Sequence, residues 1–300
     1  MLDQIQLMKV FVAVAEEQGF AAASRRLNMS PPSVTRAIAM LEERLTIKLF
    51  NRTTRYVRVT DAGIRYLEDV RRILNDINLA NEAAQGINAA PQGSISITAP
   101  LLFGQQFVLP SVLEYLNTYP KTEVNSVFLD RVVNLLEEGY DVGVRIGKLT
   151  DSSMRAKKVG SVRLSLVASP EYLKQHGIPQ HFSELAAHSL VEVQAGSLTP
   201  DWKFVENGKV INQRISSKLR VNSHQAAINA AVAGFGIARV ISYQITNELA
   251  QNKLKFILEN FEEPPLPINI IHREDRLSSA KVRSLIDLLA KNLQNNSAFN

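Results

Sequence analysis

Arginine is the residue whose type and placement in this sequence most directly suggest chemistry. The first sixty residues hold nine Lys/Arg (Lys9, Arg25, Arg26, Arg36, Arg44, Lys48, Arg52, Arg55, Arg58) against five acids (Asp3, Glu16, Glu17, Glu42, Glu43), a local charge of +4. The 300-residue chain carries +5 in all, so the remaining four-fifths is nearly neutral. Positive charge packed this way either attracts a polyanion or forms a solvated basic surface. Guanidinium groups suit the first role, since one can grip phosphate or hold guanine O6 and N7 through two hydrogen bonds.

Other chemistry is poorly provided for. The histidines, His176, His181, His188, His224 and His272, lack metal-ligand spacing such as H-E-x-x-H. Without cysteine there is no disulfide, thiolate metal site or thiol nucleophile. No phosphate loop followed by lysine and no Gly-x-Ser-x-Gly elbow occurs. Gly234-Phe235-Gly236 lacks the third glycine and the later acid of a dinucleotide fingerprint. The expectation is a protein that is not an enzyme and uses no metal or cofactor. A content of 45% hydrophobic and 21% charged residues is that of a soluble globular protein. Its length suggests two or three domains. No apolar run is long enough to span a membrane, and Met1–Val10 alternates polar with apolar residues rather than forming a signal peptide. Cytoplasmic residence fits these features.

The cations must be positioned by the elements around them. Gly19 and the pair Pro31-Pro32 divide the first 47 residues into three short helices. The first runs from about Ile5 to Gln18 and is ended by Gly19. The second covers Ala21 to Leu27, and the third begins after a Ser30 cap. In the third, Val34, Ile38, Leu41 and Leu45 form one apolar stripe. Arg36 falls about 200° around the helix from Val34, on the outward side with Pro32, Ala39, Met40 and Glu43, and with Ser33 and Thr35 on its flanks. A helix with its back in a core and small polar groups plus arginine in front can enter a major groove. The run Leu49–Thr60 reads as a β-hairpin wing with Arg52 and Arg55 near its tip, able to lay cations along phosphates or into the minor groove. Thr60 or Asp61 then caps a long helix to about Ile87. Its Val70, Ile73, Ile77, Ala80, Ala84 and Ile87 are spaced as a heptad seam, either for pairing with a second chain or for packing on the helix's own domain.

Ala89-Ala90-Pro91-Gln92-Gly93 breaks this helix and reads as a linker. Beyond it strands and helices alternate: strands near 93–99, 123–129, 141–146, 164–168, 190–194, 254–258 and 268–272, helices near 109–117, 132–138, 170–175, 224–233 and 279–293. Alternation of this kind predicts an α/β unit with a largely parallel sheet.

The first sixty residues resemble the LysR-type transcriptional regulators. The resemblance is carried by Phe20-Ala21-Ala22-Ala23-Ser24, by Leu27 through Ile38, by Leu41-Glu42-Glu43-Arg44-Leu45, by Leu49 through Arg55, and by Thr60-Asp61-Ala62-Gly63. Looser anchors are Gly93-Ser-Ile-Ser-Ile, Asp141 through Gly147 and Val232 through Ala238. Asn51-Arg52-Thr53-Thr54-Arg55 is similar to the CrgA-like branch of that family. The resemblance implies a winged helix-turn-helix over 1–60, a linker and dimerisation helix over 61–90, and a periplasmic-binding-protein-like (type 2) effector domain of two lobes over 91–300. The first lobe would hold 93–162 and 267–300, the second 163–266. Its implied partners are double-stranded DNA, an anionic small-molecule effector bound between the two lobes and further copies of the chain, a homodimer through the linker helix that assembles into a homotetramer. Two departures stand out. Pro31 replaces the glutamine many members carry there, and Arg239-Val240 replaces a Leu-Pro pair.

On this basis the DNA contacts are Pro31, Pro32, Ser33, Thr35 and Arg36 on the third helix, with Arg52, Thr54 and Arg55 on the wing. For the effector, Ala99-Pro100-Leu101-Leu102-Phe103-Gly104 follows a strand and precedes a helix, the place where open α/β sheets bind ligands. Free N–H groups at the helix start would suit an anion. Candidate contacts are Pro100, Leu101, Phe103 and Phe128, the two phenylalanines being alternatively core. Arg145 either clamps a carboxylate or pairs with Asp141 or Asp151. Gln194, Ser223 and His224 complete the set from the other lobe, His224 being a ligand contact, a helix-start cap or a core residue.

Overall fold

The computed structural model describes residues 3–52, 57–85, 90–149, 154–194, 201–273 and 279–299. The chain forms two compact units, the first mainly Met1–Ala90 and the second mainly Pro91–Asn300.

The first unit opens with α1 (Gln4–Glu17), where Asp3 Oδ1 accepts the Gln6 N–H at 2.7 Å and caps the helix. Gln18, left-handed at φ 50°, ends it. Gly19, expected to do so, is instead extended and leads into α2 (Phe20–Arg26). Ser30 then accepts the Ser33 N–H at the start of α3 (Pro31–Leu45), whose two prolines occupy first-turn positions that need no N–H. Val34, Ile38 and Leu41 are fully buried and Leu45 half-buried. Met40, expected outward, packs against the same core. Next, β1 (Phe50–Arg52) pairs antiparallel with β2 (Val57–Val59), Phe50 opposite Val59. The Thr60 hydroxyl accepts the Gly63 N–H at 3.0 Å and caps α4 (Asp61–Gln85). Phe11 sits at the centre of this unit, with its ring centroid 5.3 Å from those of Phe50 and Tyr66, so that α1, β1 and α4 share one core. Val70 is completely buried in that core, which takes it out of the heptad seam. The cause is geometric: Tyr66, Leu67, Val70 and Leu74 form the face of α4 that packs onto the core. Ile73 is 39% exposed and Ala80 is exposed, while the side chain of Ala84 and all of Ile87 lie outside the described residues.

Two five-stranded sheets organise the second unit. In one, β3 (Gly93–Ala99), β4 (Thr122–Phe128), β5 (Val142–Ile146), β6 (Arg155–Val162) and the late strand β14 (Leu266–His272) lie in the order β4-β3-β5-β14-β6. In the other, β7 (Leu164–Ala168), β8 (Leu190–Val193), β11 (Leu219–Val221), β12 (Ile237–Ile241) and β13 (Lys255–Ile257) lie in the order β11-β8-β12-β7-β13. Contrary to the expectation of a largely parallel sheet, both are mixed. β3 runs parallel to β4 and β5, and β8 to β11 and β12. β14 is antiparallel to β5 and β6, and β7 to β12 and β13. The antiparallel strands are those at the crossings: β6 runs through Arg163 straight into β7, and β14 returns to the first sheet. Pairing of that sort needs no crossover helix.

A hairpin absent from the sequence expectations, β9 (Asp201–Glu206) with β10 (Lys209–Arg214), turns at Asn207-Gly208 (φ 52° and 74°) and buries Trp202 and Phe204. The segment Val132–Glu138, expected to be helical, is irregular through Asn134 and a turn from Leu135, with Val133 and Leu135 buried and Val132 94% exposed. That inward-outward alternation is incompatible with helical packing. The helices of this unit are α5 (Leu101–Phe103), which continues through a π-helical turn into α6 (Leu109–Thr118), α7 (Pro170–His176), α8 (His224–Val232), α9 (Thr246–Ala250) and α10 (Ala280–Gln294). One apolar core joins residues of both sheets with α6, α8 and α10.

Arg163 clamps the two crossings. Its Nε donates to Glu262 Oε2 at 2.8 Å and its Nη2 to Glu259 Oε2 at 2.6 Å, both acids lying on the returning segment. The guanidinium also covers the Phe256 ring at 4.7 Å. The departure at Arg239 is likewise absorbed, since its Nη2 donates to Glu263 Oε2 at 2.8 Å and to the Lys203 carbonyl. Arg163 is partly exposed, which limits the gain from its ion pairs. Replacing it with alanine should lower the midpoint of thermal unfolding by about 2–4 °C, and lysine should recover part of the loss. An unchanged melting curve would remove the clamp.

Candidate nucleic-acid interface and effector pocket

The exposed half of α3 carries Pro31, Pro32, Thr35 and Arg36, all open to solvent. Ser33 is half-buried, and its hydroxyl lies 2.8 Å from that of Ser30, so the cap occupies it in part. Arg52 ends β1, with only its backbone described, and Thr54 and Arg55 lie outside the described residues. Not all the positive charge counted from the sequence is available to a partner. Arg26 is held by Glu16 (2.7 Å) and Glu17 (3.3 Å), and Lys48 by Glu42 (2.9 Å). Among the described residues Arg25 and Arg36 form no ion pair.

Glu42 is the residue that sequence reasoning missed here. Its side chain is 2% exposed on the back of α3. Oε1 accepts the N–H groups of Leu49 (2.9 Å) and Phe50 (3.2 Å), and Oε2 takes the Lys48 ammonium. Burial alone would raise this carboxyl, but Lys48 and the two N–H donors outweigh it and hold the pKa below the usual value. A depressed carboxyl stabilises the fold above its unfolded pKa, and the benefit disappears as pH falls through the folded value. The one-letter pattern gave a signal only in the glutamate's place on the apolar side of the helix, between Leu41 and Leu45.

In the second unit a pocket of about 370 Å³ is lined by Leu101, Phe128, Leu129, Asp130, Arg131, Val193, Gln194 and Asn222. Every lining residue lies at or just beyond the carboxyl end of a parallel strand: β3, β4, β8 or β11. Four strand ends with their side chains make a concave site of ligand size. Of the expected contacts, Leu101, Phe128 and Gln194 meet there. Phe128 is fixed by packing, since its ring fills the space that a Cβ on Gly104 would need. Pro100 is half-buried immediately before α5. Phe103 is not at the pocket surface. It is fully buried, 5.1 to 5.4 Å from the rings of Phe107, Tyr243 and Phe299, and its role is core packing. Arg145 is half-buried on β5, donates from Nη1 to the Val144 carbonyl at 2.8 Å, and does not line the pocket. Asp151 lies outside the described residues. The Ser223 hydroxyl accepts the Ala226 N–H at 3.5 Å as the cap of α8. At the helix start expected to be open to an anion, the Leu101 N–H is taken, donating to Asp130 Oδ1 at 2.9 Å.

His224, the first residue of α8, has its Nδ1 buried without a hydrogen-bond partner among the described residues. Burial lowers its pKa, with the charge of Asp130 acting in the opposite direction. His188 is lowered by burial and by His176. A histidine with a depressed folded pKa resists protonation in the native state, so the unfolded chain binds the extra proton as pH falls below about 6.5. The melting temperature should therefore drop between pH 7.5 and pH 5.5. His224→Asn should flatten that drop in differential scanning calorimetry. A slope unchanged by the substitution would assign the effect elsewhere.

Among the described residues no cluster of three or more His, Cys, Asp or Glu could hold a metal ion, and no helix is long and apolar enough to cross a membrane. Comparison with known proteins places this arrangement in a family. Residues 5–64 match the bacterial regulatory helix-turn-helix proteins of the lysR family, and residues 88–294 match the LysR substrate binding domain. The HTH-type transcriptional regulator CrgA of Neisseria meningitidis serogroup B is 30% identical over 291 residues, 96% of this chain and 97% of that protein. The HTH-type transcriptional activator AaeR of Escherichia coli K12 is also 30% identical over 291 residues, 96% of this chain and 93% of its own length. The solved structure of CrgA superposes with a TM-score of 0.62 at 28% identity, covering 98% of this chain and all of that one. The chain belongs to the LysR family of transcriptional regulators, with a helix-turn-helix domain followed by a LysR substrate-binding domain.

Proposed function

We propose that this protein is a cytoplasmic, sequence-specific regulator of transcription that reads double-stranded DNA with α3 and the wing and is controlled by a small molecule held between the two sheets of its second unit. The observation that carries this reading is α3 itself: Val34, Ile38 and Leu41 buried behind, Thr35 and an unpaired Arg36 exposed in front. Arg36 takes the base-reading role, with Thr35 and, to a lesser degree, Ser33. Pro31 and Pro32 shape the helix start, and Arg52, Thr54 and Arg55 serve the phosphates or the minor groove. The pocket at the parallel strand ends is the effector site, with Leu101, Phe128 and Gln194 among its contacts. A ligand there acts by favouring one relative placement of the sheets over another. Copies of the chain pair through the distal part of α4, where Ile73 remains exposed, and the dimers assemble into a tetramer.

The test uses DNA selected from a random-sequence pool by the wild-type protein. Arg36→Ala should weaken binding to the selected sequence about tenfold or more, in line with roughly 1–3 kcal/mol for a bidentate guanine contact, and should barely change binding to random DNA. Equal losses on both would assign Arg36 to the phosphate backbone.

A further inference from the structure

Asp130 is a carboxylate at the place where an anionic ligand would be expected to dock. It lies two residues beyond the end of β4, is half-buried, and lines the pocket. Its Oδ1 accepts the Leu101 N–H at 2.9 Å, so the chain already supplies the negative charge that this helix start favours. Oδ2 makes no hydrogen bond among the described residues and is not sealed from solvent. Burial lowers the pKa of the neighbouring His224, against the pull of Asp130, which disfavours a charged imidazole beside the carboxylate. Among the described residues the pocket wall carries one cation, Arg131, which is exposed and whose Nη1 donates to the Val132 carbonyl at 3.3 Å. A charge in solvent is screened, while one that is half-buried acts at lower effective dielectric. Leu101, Phe128, Leu129 and Val193 supply apolar lining, and Gln194 and Asn222 contribute amides.

From this arrangement we infer that the pocket selects a small ligand with an apolar body and a primary ammonium group, the ammonium donating to Asp130 Oδ2. A carboxylate of the same shape would face Asp130 at close range and find the Leu101 N–H already used. The inference rests on the effector reading proposed above and specifies the ligand class of that site.

The experiment is isothermal titration calorimetry of the full-length chain with two probes of similar shape, phenethylamine and hydrocinnamate. Phenethylamine should bind with a Kd at least about tenfold below that of hydrocinnamate. Asp130→Asn should remove that preference. Val193→Trp, which fills the pocket and leaves Asp130 in place, should abolish binding of the amine and guards against a folding defect in the first variant. Tighter or equal binding of hydrocinnamate, binding of the amine that survives both substitutions, or no binding of either probe would overturn the inference. Selective DNA binding by the same preparation is scored separately. Its loss would count against the regulator reading, whereas a preference for carboxylate would count only against the ligand class.

Discussion

One buried carboxylate ties α3 to the segment that leads into the β1–β2 hairpin. Glu42 points into the first unit from the back of α3 and binds the Leu49 and Phe50 N–H groups and the Lys48 ammonium. The same segment is gripped from the far side, where the Thr60 N–H donates to the Leu49 carbonyl and the Thr60 hydroxyl to that of Lys48. The base of the wing is thereby fixed to the helix before it and to the cap of the helix after it. Removing the carboxylate would leave buried N–H groups unpaired, at about 1–3 kcal/mol each. In the proposed function this rigidity would serve recognition, because base reading by α3 and phosphate contacts by the wing would require one register on the same duplex.

The second unit meets a different constraint. The carboxyl ends of β3, β4, β8 and β11 meet at the pocket, and the unit's antiparallel pairings join the strands at the two crossings. Mixed pairing is thus what allows one chain to pass twice between sheets and still present four strand ends to a single pocket. Arg163 and Arg239, each bound to glutamates of the returning segment, hold those crossings in place. Any change of relative sheet placement on ligand binding would have to work against these contacts.

Much of the first unit was legible because its signals are local. The Val34–Leu45 stripe, the Ser30 cap and the two prolines locate α3 without tertiary information, and the run of β-branched residues locates the hairpin. Residues whose roles depend on distant partners were harder to read. Glu42 looked like an ordinary helix glutamate until Leu49 and Phe50 were folded over it. Val70 fitted a seam by spacing alone, but α4 lies against its own core first. Phe103 was offered to the pocket by its place after β3, yet the helix turns it inward onto Phe107, Tyr243 and Phe299. Asp130 obeys the same strand-end rule that points to Leu101, applied to the strand expected at 123–129, whereas Asn222 follows β11, a strand the sequence pattern does not mark. Asn207-Gly208 was a readable hairpin signal between two runs rich in β-formers.

The most direct test of the coupling between helix and wing is the affinity of Glu42→Gln for DNA selected by the wild-type protein, with folding followed by circular dichroism in the same samples. The amide keeps the overall shape but loses the charge that pairs with Lys48. If Glu42 fixes the wing to the reading helix, the variant remains helical and loses at least about tenfold in affinity, with a shallower dependence on salt as wing phosphate contacts are lost. A folded variant with wild-type affinity and salt dependence would contradict it.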